Sequence, residues 1–96
     1  MATEVKFHTG RTVFTRGVIN EVADSADFSK FVIQSMARHC AGDWGDLEKS
    51  DKRLNDRAVN VGERILSAYE QKGLPKIWII TEADRSQTTV LFPDEY

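Results

Sequence analysis

The clearest opportunity for chemistry in this chain is His39 beside Cys40, because an imidazole that takes the proton of a thiol generates a strong nucleophile. Neighbours on a helix point about 100° apart, so these two side chains diverge and Cys40 suits a small core-edge position instead. His39, Asp43 and Asp46 place one imidazole and two carboxylates within a short stretch, and His8 from an earlier strand could join them around a divalent cation. None of those spacings is that of a recognised metal motif. Simpler duties fit each residue: Asp43 in an Asx-turn, Asp46 as a helix N-cap, His39 as a cation at a helix C-terminus. A third polar group is Glu82, Asp84 and Arg85, followed by Ser86, Gln87, Thr88 and Thr89. It is larger than a short turn requires, which suits recognition; the plain alternative is a solvated tip with an exposed Asp84–Arg85 pair worth under about 1 kcal/mol.

Other chemistries lack their residues. Neither G-x-G-x-x-G nor G-x-x-x-x-G-K-[ST] occurs, and the 6 glycines stand singly, so no loop is built to cradle phosphate. Trp44, Trp78, Phe14 and Phe92 are not interleaved with Lys and Arg as a single-strand binder requires, and core packing accounts for them. Acidic and basic side chains number 15 and 13 and alternate closely, as in Glu48-Lys49-Ser50-Asp51-Lys52-Arg53. That mixing leaves no basic stripe for nucleic acid and no acidic excess for mimicry of it.

The elements that must position these groups follow from the same 96 residues, enough for one hydrophobic core and so for a single domain. The 41% hydrophobic and 29% charged content is that of an ordinary globular protein. With Cys40 alone there is no internal disulfide, which points to a reducing compartment. Met1 to Lys6 lacks the apolar stretch of a signal peptide and no apolar run reaches the roughly 18 residues of a bilayer span. The expectation is a cytoplasmic protein without a membrane or nucleic-acid partner.

Phe7 to Thr15 reads as a strand entered at Gly10, and Val18 to Val22 as a short helical turn broken by Asp24-Ser25. From Ser25 or Asp27, apolar residues recur at Phe28, Phe31, Val32 and Met36, the period of a helix that ends near Gly42. Gly45 and Gly42 flank a tight Asp43-Trp44 connection that seats the indole against the core. A second amphipathic helix begins near Asp46 or Ser50, with Leu47, Leu54, Ala58 and Val61 on its apolar stripe, and stops at Gly62. Beyond Gly62 the period changes to two. Ile65 to Tyr69, Ile77 to Thr81 and Thr88 to Phe92 read as a C-terminal β-meander, and Trp78 and Ile80 require cover from Phe14, Tyr69, Phe92 or Tyr96 on the second sheet face. The fold class is α+β: a mainly antiparallel three- to four-stranded sheet with two to three helices on one face.

Two stretches, Gly42-Asp43-Trp44-Gly45-Asp46-Leu47 and Ile77 through Ile80-Thr81-Glu82-Ala83-Asp84-Arg85-Ser86 to Thr88-Thr89, Pro93 and Glu95-Tyr96, resemble a family of small bacterial proteins often carried on plasmids and other mobile elements. The resemblance spans about residues 35 to 96, includes Leu66-Ser67-Ala68-Tyr69, and implies no biochemical activity, since the family has none established. A DNA methyltransferase would need a cofactor-binding glycine loop and a catalytic Pro-Pro motif, and the chain has neither. The residues therefore point first to a non-enzymatic, mobile-element accessory module, with no cofactor or metal, that presents Asp43, Trp44, Asp46, Glu82, Asp84, Arg85, Ser86 and Thr88 to a protein partner. The rival is a small hydrolase or metal-dependent enzyme using His39, Asp43, Asp46 and Glu82. A homodimer through the edge of the C-terminal sheet, with Thr88 to Phe92 as the unpaired strand, is the third expectation.

Overall fold

A computed structural model describes residues 5–96; Met1 to Glu4, two thirds of the segment read above for a signal peptide, lie outside it. In chain order the elements are β1 (Arg11–Phe14), α1 (Arg16–Asp24), α2 (Ala26–Cys40), α3 (Lys49–Val61), β2 (Ile65–Tyr69), β3 (Ile77–Thr81), β4 (Gln87–Leu91) and a 3₁₀ turn, Pro93–Glu95. The α+β class and the C-terminal meander stand as read. Within the four-stranded sheet, ordered β1-β4-β3-β2, the β2–β3 and β3–β4 pairs are antiparallel and β1 lies parallel to β4, so the sheet is mixed. That order corrects one expectation: the strand from Thr88 is interior, flanked by β1 and β3, and is no sheet edge.

Local chemistry sets the helix boundaries. Thr15 Oγ1 accepts from Val18 N and starts α1, while Ser25 Oγ accepts from Phe28 N and starts α2, so two helices meet at one serine. The expected short turn is thus a helix of 9 residues, because both of its ends are capped. Val18, Phe28, Phe31 and Val32 pack on Ile77, Ile79, Val90 and Tyr69, alternate residues of the inner sheet face. Met36, Val22 and Phe92 border that core.

A second cluster joins Phe7, Trp44, Ala58 and Ile65, so the indole seats against the core as expected. Here the stripe of α3 differs from expectation. Asn55 and Ala58 are buried whereas Leu54 and Val61 are exposed, because the inward position next to β2 is taken by an amide with backbone partners. On the outer sheet face Tyr96 supplies cover: its ring stands 5.7 Å from that of Trp78, and Arg64 donates to its hydroxyl. Phe92 and Tyr69 instead join the inner core. No helix among the described residues is long and apolar enough to cross a membrane.

Candidate functional site

His39 lies one turn beyond Ser35 on the buried face of α2 and has no solvent exposure. Its Nδ1 is 2.5 Å from Ser67 Oγ and its Nε2 is 2.8 Å from Thr81 Oγ1; Thr81 Oγ1 in turn is 2.7 Å from Thr88 Oγ1, which donates to the Thr9 carbonyl. The carbonyl at the end of this chain of bonds sets every proton. Thr9 O only accepts, so Thr88 donates to it, Thr81 donates to Thr88, and His39 Nε2–H donates to Thr81. Nδ1 is left as the acceptor for the Ser67 hydroxyl. Burial alone pushes the imidazole pKa down to about 3, which matches the neutral ring that this arrangement needs.

His39 is therefore a core residue rather than a cation at a helix end. Phe7 and Trp44 stand edge-on to its ring at 5.3 and 5.8 Å and close the remaining sides. The hydrolase grouping is not assembled: the imidazole partners are two hydroxyls, and none is a carboxylate of Asp43, Asp46 or Glu82. Among the described residues no three His, Cys, Asp or Glu side chains gather closely enough to hold a metal ion. Ser67 and Thr81 went unnoticed in the sequence, yet a signal was there. Both fall in the apolar register of their strands, opposite a histidine in the apolar register of α2, and buried polar groups in such positions must satisfy one another.

The Trp44 corner closes one edge of the sheet. On β2 the outward-facing backbone groups belong to Leu66 and Ala68, and the next outward N–H is that of Glu70. Asn55 meets Leu66 with its whole amide, Nδ2 donating to the carbonyl at 2.6 Å and Oδ1 accepting from the N–H at 3.3 Å. Ala68 N donates to Trp44 O and Asp46 N donates to Ala68 O. The Asp46 carboxylate accepts from Glu70 N, so it serves the edge and does not cap α3. Gly45 sits at φ +74, where an added Cβ would strike the Ala68 carbonyl, and a side chain there is excluded twice over.

Asp43 does form the expected Asx-turn, accepting from Gly45 N. Its carboxylate also binds Arg38 at 2.7 and 3.2 Å, and this guanidinium, more than any other neighbour, holds its pKa below the usual carboxylate range. The Asp43 carbonyl accepts from Tyr69 Oη and the Trp44 indole N–H donates to Asp56.

The β3–β4 tip is tied down in the same way. Arg85, the one non-glycine at positive φ among the described residues, turns its guanidinium onto the carbonyls of Ala58, Glu63 and Glu82 at 2.7, 2.6 and 3.1 Å. It thereby completes the C-terminus of α3, whose Gly62 is left-handed. The expected Asp84–Arg85 pair is not formed. Asp84 instead accepts from the N–H and hydroxyl of Ser86, which lower its pKa. Thr88 is fully buried, and Glu82 closes the hairpin through its backbone to Gln87 and Arg85. The corner flanks β2 at Ala68 while the tip lies beyond Ile65, with the buried Phe7 ring between Trp44 and Arg85. The two polar loops thus brace one buried cluster.

The opposite edge is unlike this. Arg11 N donates to Ser86 O and Thr15 N to Val90 O, so the odd residues of β1 face β4. Alternation then turns the N–H and C=O of Thr12 and Phe14 away from the sheet. Among the described residues no strand or side-chain amide is paired with that edge. Beside it the inner face opens between sheet and helices into a groove of about 160 Å³ lined by Phe14, Ile19, Val22, Ser29, Val32 and Ile33. Phe14, Ile19 and Ile33 are 37%, 53% and 67% exposed, large fractions for side chains on one contiguous apolar surface. The expected strand from Phe7 to Thr15 is short, Arg11–Phe14, because Gly10 turns at φ +61 against the Ser86 backbone. The chain finds no match among protein-family models, curated proteins or solved structures.

Proposed function

We propose that this chain is a non-enzymatic interaction module, an accessory factor in the manner of the mobile-element proteins its motifs resemble, and that it binds an extended strand of a protein partner along β1. The observation that carries this reading is the contrast between the edges. The chain satisfies every outward group of β2 from Leu66 to Glu70 with its own corner and its own asparagine, and among the described residues nothing covers Thr12 and Phe14 in that way.

Open strand edges template pairing with other chains, and proteins blunt them with charge, proline, bulges or covering segments. Among the described residues β1 has no proline, bulge or covering segment, and is blunted by its length of 4 residues and the charge of Arg11 at its start. A strand laid there would gain main-chain hydrogen bonds from Thr12 and Phe14 and cover the groove with alternate side chains, as in recognition by strand addition.

A photo-crosslinking side chain at Ile33 tests this in the producing cells, with the same group at Leu54, a similarly exposed leucine on α3, as the control. A discrete protein adduct at Ile33 and none at Leu54 is the expected result. No adduct at Ile33, or the same adducts at both, would refute the module at this edge.

A further inference from the structure

Resting on that reading, we infer that the occupant of the β1 edge is a second copy of the chain, its β1 running antiparallel across a two-fold axis at Val13, to give one continuous sheet of eight strands from two of four.

The open groups themselves select this pairing. They belong to Thr12 and Phe14, placed symmetrically about Val13. A two-fold there makes Thr12 of each copy a hydrogen-bonded partner of Phe14 of the other, so every open N–H and C=O on both edges is answered. A two-fold through Thr12 or through Phe14 would bond that residue to itself and carry the other past the end of the opposing strand.

Charge agrees with this register. With Thr12 opposite Phe14, Arg11 falls opposite Thr15 of the second copy as a non-hydrogen-bonded pair, the class with Cα atoms about 4.5 Å apart and side chains closest. The Thr15 hydroxyl donates to Glu95 Oε1 at 2.7 Å, so a carboxylate stands at that position. Its pKa is lowered by the Phe92 N–H first and by Thr15 second, which keeps it charged. Each guanidinium of the pair therefore meets a carboxylate, twice per dimer.

Apolar surface agrees as well. Thr12 and Phe14 share the sheet face of Thr88 and Val90, against which the helices lie. A two-fold perpendicular to the sheet brings both helix layers to the same side, so the exposed Phe14, Ile19 and Ile33 of one copy approach those of the other. The groove has no charged lining residue to select a different partner. A second copy also arrives with its strand already ordered, whereas a flexible peptide would have to order itself for the few hydrogen bonds a strand of 4 residues offers.

Sedimentation velocity on the full chain at about 100 µM tests the inference, in the range where a modest interface is populated. Wild type is expected to sediment as a dimer. Arg11→Glu and Glu95→Arg are each expected to weaken dimerisation by at least about tenfold, and the double reversal R11E/E95R to restore it. Because Glu95 also accepts from Phe92 N and could disturb the C-terminus, Thr12→Pro serves as an independent variant and should yield a folded monomer.

A monomeric wild type at this concentration would overturn the second copy, as would single reversals that leave the dimer intact or a double reversal that fails to restore it. The Ile33 crosslink separates this failure from that of the module. An adduct of twice the chain mass supports the second copy; a heavier or lighter adduct with a monomeric wild type refutes it and leaves the module standing; no adduct refutes both.

Discussion

The two edges of this sheet are built from the same four strands and treated in opposite ways. At β2 the chain uses Asn55, the Trp44 carbonyl, the Asp46 amide and the Asp46 carboxylate to satisfy a continuous row of backbone groups. At β1 the row holds only Thr12 and Phe14, and beside it apolar side chains stand in water. A fold that invests so many polar residues in sealing one side has the means to seal the other. Polar clusters in a sequence mark recognition only where their atoms are not already bonded to the chain's own backbone, and here the conspicuous clusters are the seal while the quiet edge is the opening.

The largest effect is expected from breaking the closed edge at its tightest point. Gly45→Ala should destabilise the fold by about 4 kcal/mol or more in urea unfolding, because it adds a clash with the Ala68 carbonyl to the strain of a left-handed residue. Gly73→Ala, at φ +84 with open space around it, should cost only about 1 kcal/mol and so isolates the strain. Next comes Asn55→Ala, which leaves the N–H and C=O of Leu66 unanswered beside α3. A loss of about 3 kcal/mol is expected, and a loss below about 0.5 kcal/mol would mean water replaces the amide and the edge is not sealed.

A smaller effect follows from the histidine beneath that edge. His39 takes up protons near its ordinary value of 6.5 when unfolded and near 3 when folded, so the unfolded chain binds the extra proton and stability falls as pH drops below about 6.5. Between pH 6.5 and 4.5, above most carboxylate titration, roughly 2 kcal/mol should be lost. His39→Gln should be less stable at neutral pH and flat across that window, by unfolding midpoints at each pH.

The smallest effect on stability is expected at the open edge. Thr12→Pro removes an N–H that points away from β4, so unfolding in dilute solution, where the wild type is monomeric, should shift by less than about 0.5 kcal/mol, while association at higher concentration is lost. A proline equally harmless at Leu66 would erase the distinction between the edges.

Much of the architecture was legible. The period of 3.6 through Phe28, Phe31, Val32 and Met36 and the period of two through Ile77 and Ile79 gave the core face of α2 and the central strand, and Trp44 was rightly seated. What escaped was whatever depends on partners distant in sequence. Leu54 fits an apolar stripe as well as Asn55 does not, but only the position of Leu66 makes the asparagine the inward residue. Asp46 reads as a cap from its neighbours, yet its partner is Glu70. Arg85 reads as a solvated tip residue, yet its partners are carbonyls at the end of α3. The parallel seating of β1 beside β4 set which edge stays open, and no local pattern encodes it.

Residue-resolved amide hydrogen exchange over a dilution series tests the contrast of edges most directly. The account predicts that the Leu66, Ala68 and Glu70 amides are protected at every concentration, whereas Thr12 and Phe14 exchange freely in dilute solution and become protected as concentration rises. Protection of Thr12 and Phe14 in the dilute chain equal to that of Leu66 and Ala68 would contradict it.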